Sequence, residues 1–184
     1  MRLYLVRHPK PQVAADVCYG STDLAVAEQE LAHALTCLLP DLPRAAPVFS
    51  SPLQRCAGLA DCIAVAHGAV AMTRDARLAE MHFGAWELRP WSDIPRAEID
   101  AWADDLTGYR PGGGENVLQM AQRVRAFHED LMRLPPESAI VVCHAGTIRL
   151  LLACQRALPL AEMALYAAQT RHEIGYGEVI LLDC

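Results

Sequence analysis

Short apolar runs alternate along this chain with longer stretches whose apolar residues recur every three or four positions. Leu3-Tyr4-Leu5-Val6 is the first run. Its aromatic and branched members, cut off by Arg7-His8-Pro9, predict a buried strand entering a polar loop. Leu24, Ala27, Leu31, Ala34, Leu35 and Leu38 share one helical face, so a helix is expected over about 24–39, with Asp23 as its N-cap and Pro40 and Pro43 as its stop. Val48-Phe49 predicts a second strand ending in Ser50-Ser51-Pro52. A helix over about 53–66 should follow and close before Gly68. A third strand is expected over 70–73.

The stretch 74–114 is loop-rich. It holds all three tryptophans and is broken by Pro90, Pro95 and Pro111, with room for a short helix over about 97–106. Pro111-Gly112-Gly113-Gly114 reads as a hinge or tight turn. Val117, Met120, Val124, Phe127 and Leu131 then mark the buried face of a helix over about 115–134, ended by Pro135-Pro136. The most apolar strand is expected over 139–143, a helix over 146–157, and a last strand over 178–182. Strands alternating with helices predict an α/β three-layer sandwich, a mainly parallel sheet with helices on both faces, in one domain.

Composition narrows the classes. Of 184 residues 53% are hydrophobic and 21% charged, the balance of a globular protein with a sizeable core. The net charge of −6 and the lack of a Lys/Arg-rich run argue against nucleic acid and anionic membranes as partners. An anionic substrate would need a local pocket built from a few arginines. The seven cysteines form no C-x-x-C pair, so reduced thiols in a cytoplasmic protein are expected rather than a disulfide framework or a zinc site. The opening MRLYLVRH is too short for a signal peptide, and no apolar run is long enough to span a membrane.

In open α/β sheets ligands bind outside the carboxyl ends of the strands. Those ends carry Arg7-His8, then Ser50-Ser51 with Arg55 one turn later, then Glu80 in LAEMHFGAWE, and His144-Ala145-Gly146 at a helix start. Arginine forks match phosphate oxygens, helix N-termini bind anions, an imidazole can form a covalent intermediate, and a carboxyl can protonate a departing alcohol. The set fits phosphoryl transfer.

These segments carry a resemblance. LVRHP looks like the Arg-His-Gly signature of the histidine phosphatase superfamily, also called phosphoglycerate-mutase-like. SSPLQRC, LAEMHFGAWE, PGGGEN and VVCHAG are similar to that family's further motifs, in the same order. The resemblance implies a catalytic set of His8, Glu80 and His144. His8 would attack phosphorus and become a phosphohistidine. Arg7, Arg55, His144 and the helix start at Ala145 would surround the phosphoryl oxygens, with Glu80 as general acid and then base. It implies no metal and no cofactor, and a small-molecule phosphate monoester as the partner.

The chain also departs from the pattern. Pro9 stands for the usual glycine, Lys10-Pro11 for Glu-Thr or Glu-Ser, and Ala14-Ala15 where the mutase branch usually carries an asparagine. Lys10 is either an added phosphate-site charge or a solvated loop lysine. The stretch from Arg7 to Leu24 looks like the α-ribazole-5′-phosphate phosphatases, which implies a leaving group bearing an aromatic benzimidazole. A broad-specificity sugar-phosphate or nucleotide phosphatase and a phosphoglycerate mutase are the alternatives. A binding module without turnover would call for a change at His8 or Glu80, and none is present.

Three further readings stay open or minor. Phe83, Trp86, Trp91 and Trp102 are either stacking partners for the leaving group or packing residues of a cap. His82 lines the pocket or the surface, and His33, His67, His128 and His172 read as incidental. Cys143 and Arg149 have the spacing of the signature loop of cysteine-dependent tyrosine phosphatases, but Leu150 follows the arginine and no Trp-Pro-Asp acid segment exists. Strand alternation puts Cys143 and His144 on opposite faces. The expectation is that Cys143 packs, Arg149 is a surface or ion-pair residue, and His144 faces the pocket.

Overall fold

The structure is a computed structural model and describes residues 1–135, 137–171 and 173–184. Pro136 and His172, to which the sequence assigns minor roles, lie outside the described residues.

Strand β1 (Arg2–Arg7) leads into helix α1 (Glu28–Leu38), strand β2 (Val48–Ser50), helix α2 (Gln54–His67) and strand β3 (Met72–Arg74). Helices α3 (Arg96–Asp104) and α4 (Val117–Met132) precede strand β4 (Ser138–Cys143), helices α5 (Ala145–Cys154) and α6 (Leu160–Gln169), and strand β5 (Val179–Asp183). The sheet order is β3-β2-β4-β1-β5. β1, β2, β3 and β4 run parallel, and β5 pairs antiparallel with β1 at the edge.

Alternation along the central strands splits the core in two. Leu3 and Leu5 of β1 and Ala139, Val141 and Cys143 of β4 join the cluster built on α4, α5 and α6. Val6, Ile140, Val142 and Val48 join the cluster built on α1 and α2. Each fully buried aliphatic side chain contributes about 1.5–3 kcal/mol. The mixed α/β sandwich is therefore as the pattern predicts, and Cys143 lies in the α4–α6 core as expected.

The corrections have local causes. Helix α1 starts at Glu28, and Asp23 does not cap it. The Asp23 carboxylate instead accepts the backbone N–H of Gln54 at 2.7 Å, satisfying the start of α2 from a distant loop. Helix α4 is shorter than expected because Asn116 and Gln119 form a reciprocal capping box that fixes its start. Strand β3 is displaced toward Arg74, and Val70 is exposed. Helix α5 ends at Cys154, and α6 was not foreseen, although Leu160, Met163, Ala164 and Ala167 have helical spacing after Pro159.

The stretch 74–114 is built of short 3₁₀ turns and α3. Its own small core joins Trp86 and Ile94 to Cys18. Gly84 and Gly112 let two of its turns touch, since a Cβ on Gly84 would lie 2.1 Å from the Gly112 carbonyl oxygen.

Candidate active site

Register brings the chemistry to one edge. Arg7 pairs with Cys143 and Ser50 with Val142, so His8, His144 and Ser51 emerge side by side. The edge opens on a cleft of about 350 Å³. Arg7, His8, Arg55, Glu80, Ala145 and Arg149 supply its polar wall; Met81, Phe83, Trp102, Met120 and Leu150 supply much of its apolar wall.

His8 is 2% exposed, and its Nδ1 lies 2.7 Å from the carbonyl oxygen of Pro9. A carbonyl only accepts, so Nδ1 carries the proton and Nε2 keeps the lone pair. Burial lowers the His8 pKa to about 3, and the positive charges of Arg55 and Arg7 add to this, against the Pro9 bond. The imidazole is neutral at physiological pH, the form required of a nucleophile.

His144 is fully buried beside it, the ring centroids 5.0 Å apart and the rings tilted by 61°. Its Nε2 shares a hydrogen bond with the Ser51 hydroxyl at 2.9 Å. Burial first, then His8 and Arg55, holds its pKa well below the usual value. It sits behind His8 rather than on the open cleft wall. The strand alternation that separates it from Cys143 gives it a place in the interior, not the expected exposure to the pocket.

Arg55 is 1% exposed and donates to the carbonyls of Thr22 at 2.7 Å and Gly20 at 2.5 Å. Arg7 donates to the Ile174 carbonyl at 2.5 Å and lies 3.8 Å from the Tyr176 ring centre. Among the described residues neither arginine has a carboxylate within 4.0 Å. Among the described residues the Nε of each is buried without a hydrogen-bond partner. Arg55 is buried and Arg7 half-buried; a sheltered cation without a counter-charge is costly, and an anion in the cleft relieves that cost.

Glu80 accepts from the backbone N–H of Gly146 in the first turn of α5 and from its neighbour Met81, each at 3.0 Å. Gly146 is needed there, because a Cβ would lie 2.4 Å from Glu80 Oε1. Arg123 of α4 fixes the loop from below. It donates to the carbonyls of Arg77 and Ala79 at 2.7 Å and pairs with Glu115 at 2.8 Å. Glu87 is occupied elsewhere: it accepts from Ser21, Thr22 and Phe83, which ties the stretch 74–114 to the loop holding Arg55.

Several residues escaped the sequence reading. Tyr19 lines the cleft, and its hydroxyl lies 2.7 Å from that of Tyr176. Arg149 is not a surface residue and has no ion pair among the described residues: it is half-buried on the cleft wall and donates to the Ala168 and Thr170 carbonyls at 2.6 and 2.9 Å. Of the tryptophans only Trp102 reaches the cleft; Trp86 is buried and donates to Glu98. His82 and Lys10 are exposed and away from the cleft wall.

A mainly parallel sheet with a neutral imidazole, two arginines without carboxylate partners among the described residues, and a carboxylate at one edge defines a site suited to phosphoryl-group chemistry. The chain belongs to the histidine phosphatase superfamily (branch 1), whose family model matches residues 3–174, and it is a phosphatase of that class. It is 29% identical over 171 residues to the adenosylcobalamin/α-ribazole phosphatase of Salmonella typhimurium, a match covering 89% of this chain and 83% of that one. Its fold superposes on the α-ribazole phosphatase of Shigella flexneri with a TM-score of 0.81 at 26% identity, covering 100% of this chain and 90% of the other. A mycobacterial glucosyl-3-phosphoglycerate phosphatase gives a TM-score of 0.78 at 26% identity, covering 99% of this chain and 89% of the other. Among the described residues no helix is long and apolar enough to cross a membrane.

Proposed function

We propose that the protein is a metal-independent phosphomonoesterase working through a phosphohistidine at His8, with α-ribazole 5′-phosphate as its substrate. One domain over 1–184 does this, with 74–114 as a cap over the site. The observation that carries the reading is the state of His8: a proton fixed on Nδ1 by Pro9, and a free Nε2 in a cleft with the buried Arg55 and the half-buried Arg7, neither paired with a carboxylate among the described residues.

The Nε2 lone pair attacks phosphorus, and the bond from phosphorus to the ester oxygen breaks. Glu80, protonated, gives its proton to the departing alcohol. As a carboxylate it then takes a proton from the water that attacks the phosphohistidine, and inorganic phosphate leaves. Arg7, Arg55 and the N–H of Ala145 stabilise the charge spread over the phosphoryl oxygens, while His144 packs against His8 from the interior.

The substrate rests on two supports. The relatives named above include α-ribazole phosphatases, and the cleft beside the catalytic edge is walled by Met81, Phe83, Trp102, Met120 and Leu150, which suits an aromatic leaving group better than a glycerate. A broad sugar-phosphate or nucleotide phosphatase is the second reading, favoured by the likeness to a glucosyl-3-phosphoglycerate phosphatase. The test is phosphate release from a panel of monoesters in the presence of EDTA. A preference for α-ribazole 5′-phosphate is expected; equal rates on all members would refute the specific assignment.

A further inference from the structure

Glu87 takes no part in the chemistry assigned to the cleft, yet five donors converge on its half-buried carboxylate. The backbone N–H groups of Ser21, Thr22 and Phe83 lie at 3.0, 2.6 and 2.9 Å. The hydroxyls of Ser21 and Thr22 complete the set. Burial alone would raise the Glu87 pKa; the bonds from Thr22, Phe83 and Ser21 outweigh it and hold the carboxyl below its usual value. Glu87 is therefore ionised at neutral pH.

One peptide unit joins this carboxylate to the phosphoryl site. The carbonyl of Gly20 and the N–H of Ser21 belong to the same peptide. That carbonyl accepts from Arg55 at 2.5 Å, and that N–H donates to Glu87 Oε1 at 3.0 Å. A trans peptide points its C=O and N–H in opposite directions, so the unit lies head to tail between a guanidinium and a carboxylate. Hydrogen bonds in such a chain polarise and strengthen one another. Thr22 repeats the arrangement within one residue. Its carbonyl takes the other terminal nitrogen of Arg55 at 2.7 Å, and its N–H goes to Glu87 Oε2 at 2.6 Å.

The loop has no slack between these grips. A Cβ on Gly20 would lie 1.8 Å from the Met81 carbonyl oxygen and 2.6 Å from the Phe83 ring, so the backbone there is pressed onto the cleft wall. Gln54, the neighbour of Arg55 in α2, holds Asp23 of the same loop. Both terminal nitrogens of Arg55 take their direction from the two carbonyls, and the carbonyls are fixed from behind by Glu87.

We infer that Glu87 is a positioning residue for the phosphoryl site: through the Gly20–Ser21 peptide it sets the fork of Arg55 and supplies the counter-charge that Arg55 lacks at close range. The inference rests on the phosphatase reading, which gives Arg55 the phosphoryl group to bind. A carboxylate that only pinned the loop would change the stability of the fold and leave the anion affinity of the folded protein alone. A carboxylate acting only as a charge near an anion site would repel the anion, so its removal would tighten binding. A positioning role predicts weaker binding, the opposite sign.

The experiment titrates orthovanadate, a phosphoryl mimic, by calorimetry into wild type, Glu87→Gln, Arg55→Met and the double variant. Glu87→Gln should weaken binding by about 10-fold or more, and kcat/KM on p-nitrophenyl phosphate should fall with it. In the Arg55→Met background Glu87→Gln should weaken binding no further, because the residue it acts through is gone. Glu87→Asp, which keeps the charge and draws the carboxylate back by one methylene, is taken through the same cycle with the same expectation, so the test does not depend on one variant folding. Unchanged or tighter binding in the Glu87 variants, or losses that add to that of Arg55→Met, would overturn the inference. Wild type that binds orthovanadate but releases no phosphate would count against the phosphatase reading instead, and the binding cycle would still judge Glu87.

Discussion

The hydroxyls of Tyr19 and Tyr176 meet at 2.7 Å and join the loop after β1 to the loop before β5. Tyr176 lies over the Arg7 guanidinium at 3.8 Å, and Tyr19 sits 5.5 Å from that of Arg55. Each of these two cleft arginines thus has an aromatic ring beside its fork. A cation–π contact of this kind contributes about 0.5–2 kcal/mol. Tyr176→Leu should therefore weaken inhibition by orthovanadate roughly 2- to 30-fold, whereas Tyr176→Phe, which keeps the ring, should change it much less. Equal weakening in both variants would assign the effect to the hydroxyl bridge instead.

Glu80 is held against the first turn of α5 by Gly146. If it protonates the leaving oxygen, its value depends on how much help that oxygen needs. Glu80→Gln should cut turnover of alkyl esters about 10²- to 10⁴-fold. The loss on p-nitrophenyl phosphate, whose phenolate departs unprotonated, should be far smaller in the phosphorylation step. Gly146→Ala should follow the same pattern, because its methyl displaces the Glu80 carboxylate. A loss independent of leaving group would remove Glu80 from the acid role.

The two buried histidines give stability a pH dependence. Burial lowers the pKa of His8 to about 3 and that of His144 well below its usual value, while in the unfolded chain both titrate near about 6.5. Between those values the unfolded chain binds more protons. The His8 contribution is full above about pH 6.5 and is lost as pH falls toward about 3, by up to about 1.4 kcal/mol per pH unit, and His144 acts in the same direction. Urea midpoints measured from pH 7.5 to pH 4.5 should drop steeply in wild type and less steeply in His8→Gln. An identical slope in the two proteins would contradict the origin assigned here.

Cys143 is fully buried in the α4–α6 core, and burial raises its pKa well above the usual thiol value. It is neither ionised nor open to the cleft. Cys143→Ser should keep turnover while lowering the melting temperature, since a hydroxyl replaces a packed thiol. Iodoacetamide should leave the native enzyme active. Inactivation by modification of Cys143 would revive the cysteine-enzyme reading.

What the sequence revealed of the site follows from strand ends. Arg7-His8, Ser51-Pro52 with Arg55, and His144 all follow parallel strands, and parallel strands deliver their carboxyl ends to one edge, so they were legible as a set. Tyr176 was not, because β5 runs antiparallel and brings its N-terminal approach to that same edge. The role of Asp23 was misplaced because its partner, the N–H of Gln54, is distant in sequence, and a cap residue looks the same whichever helix it serves. Arg149 read as a surface residue because its partners are backbone carbonyls of α6, and no pattern of side chains encodes a carbonyl. Trp102 could be separated from Trp86 and Trp91 only once the cap packing was known, with Trp86 inside it and Trp102 at its margin.

The central claim is a phosphoryl group carried on His8, and mass mapping of acid-sensitive phosphorylation tests it most directly. Enzyme mixed with p-nitrophenyl phosphate, quenched in base and digested should yield a phosphohistidine on the peptide containing Arg7-His8-Pro9, absent from His8→Ala, which should also release no phosphate. Turnover by His8→Ala, or a phosphoryl group mapped to Cys143, would contradict the account.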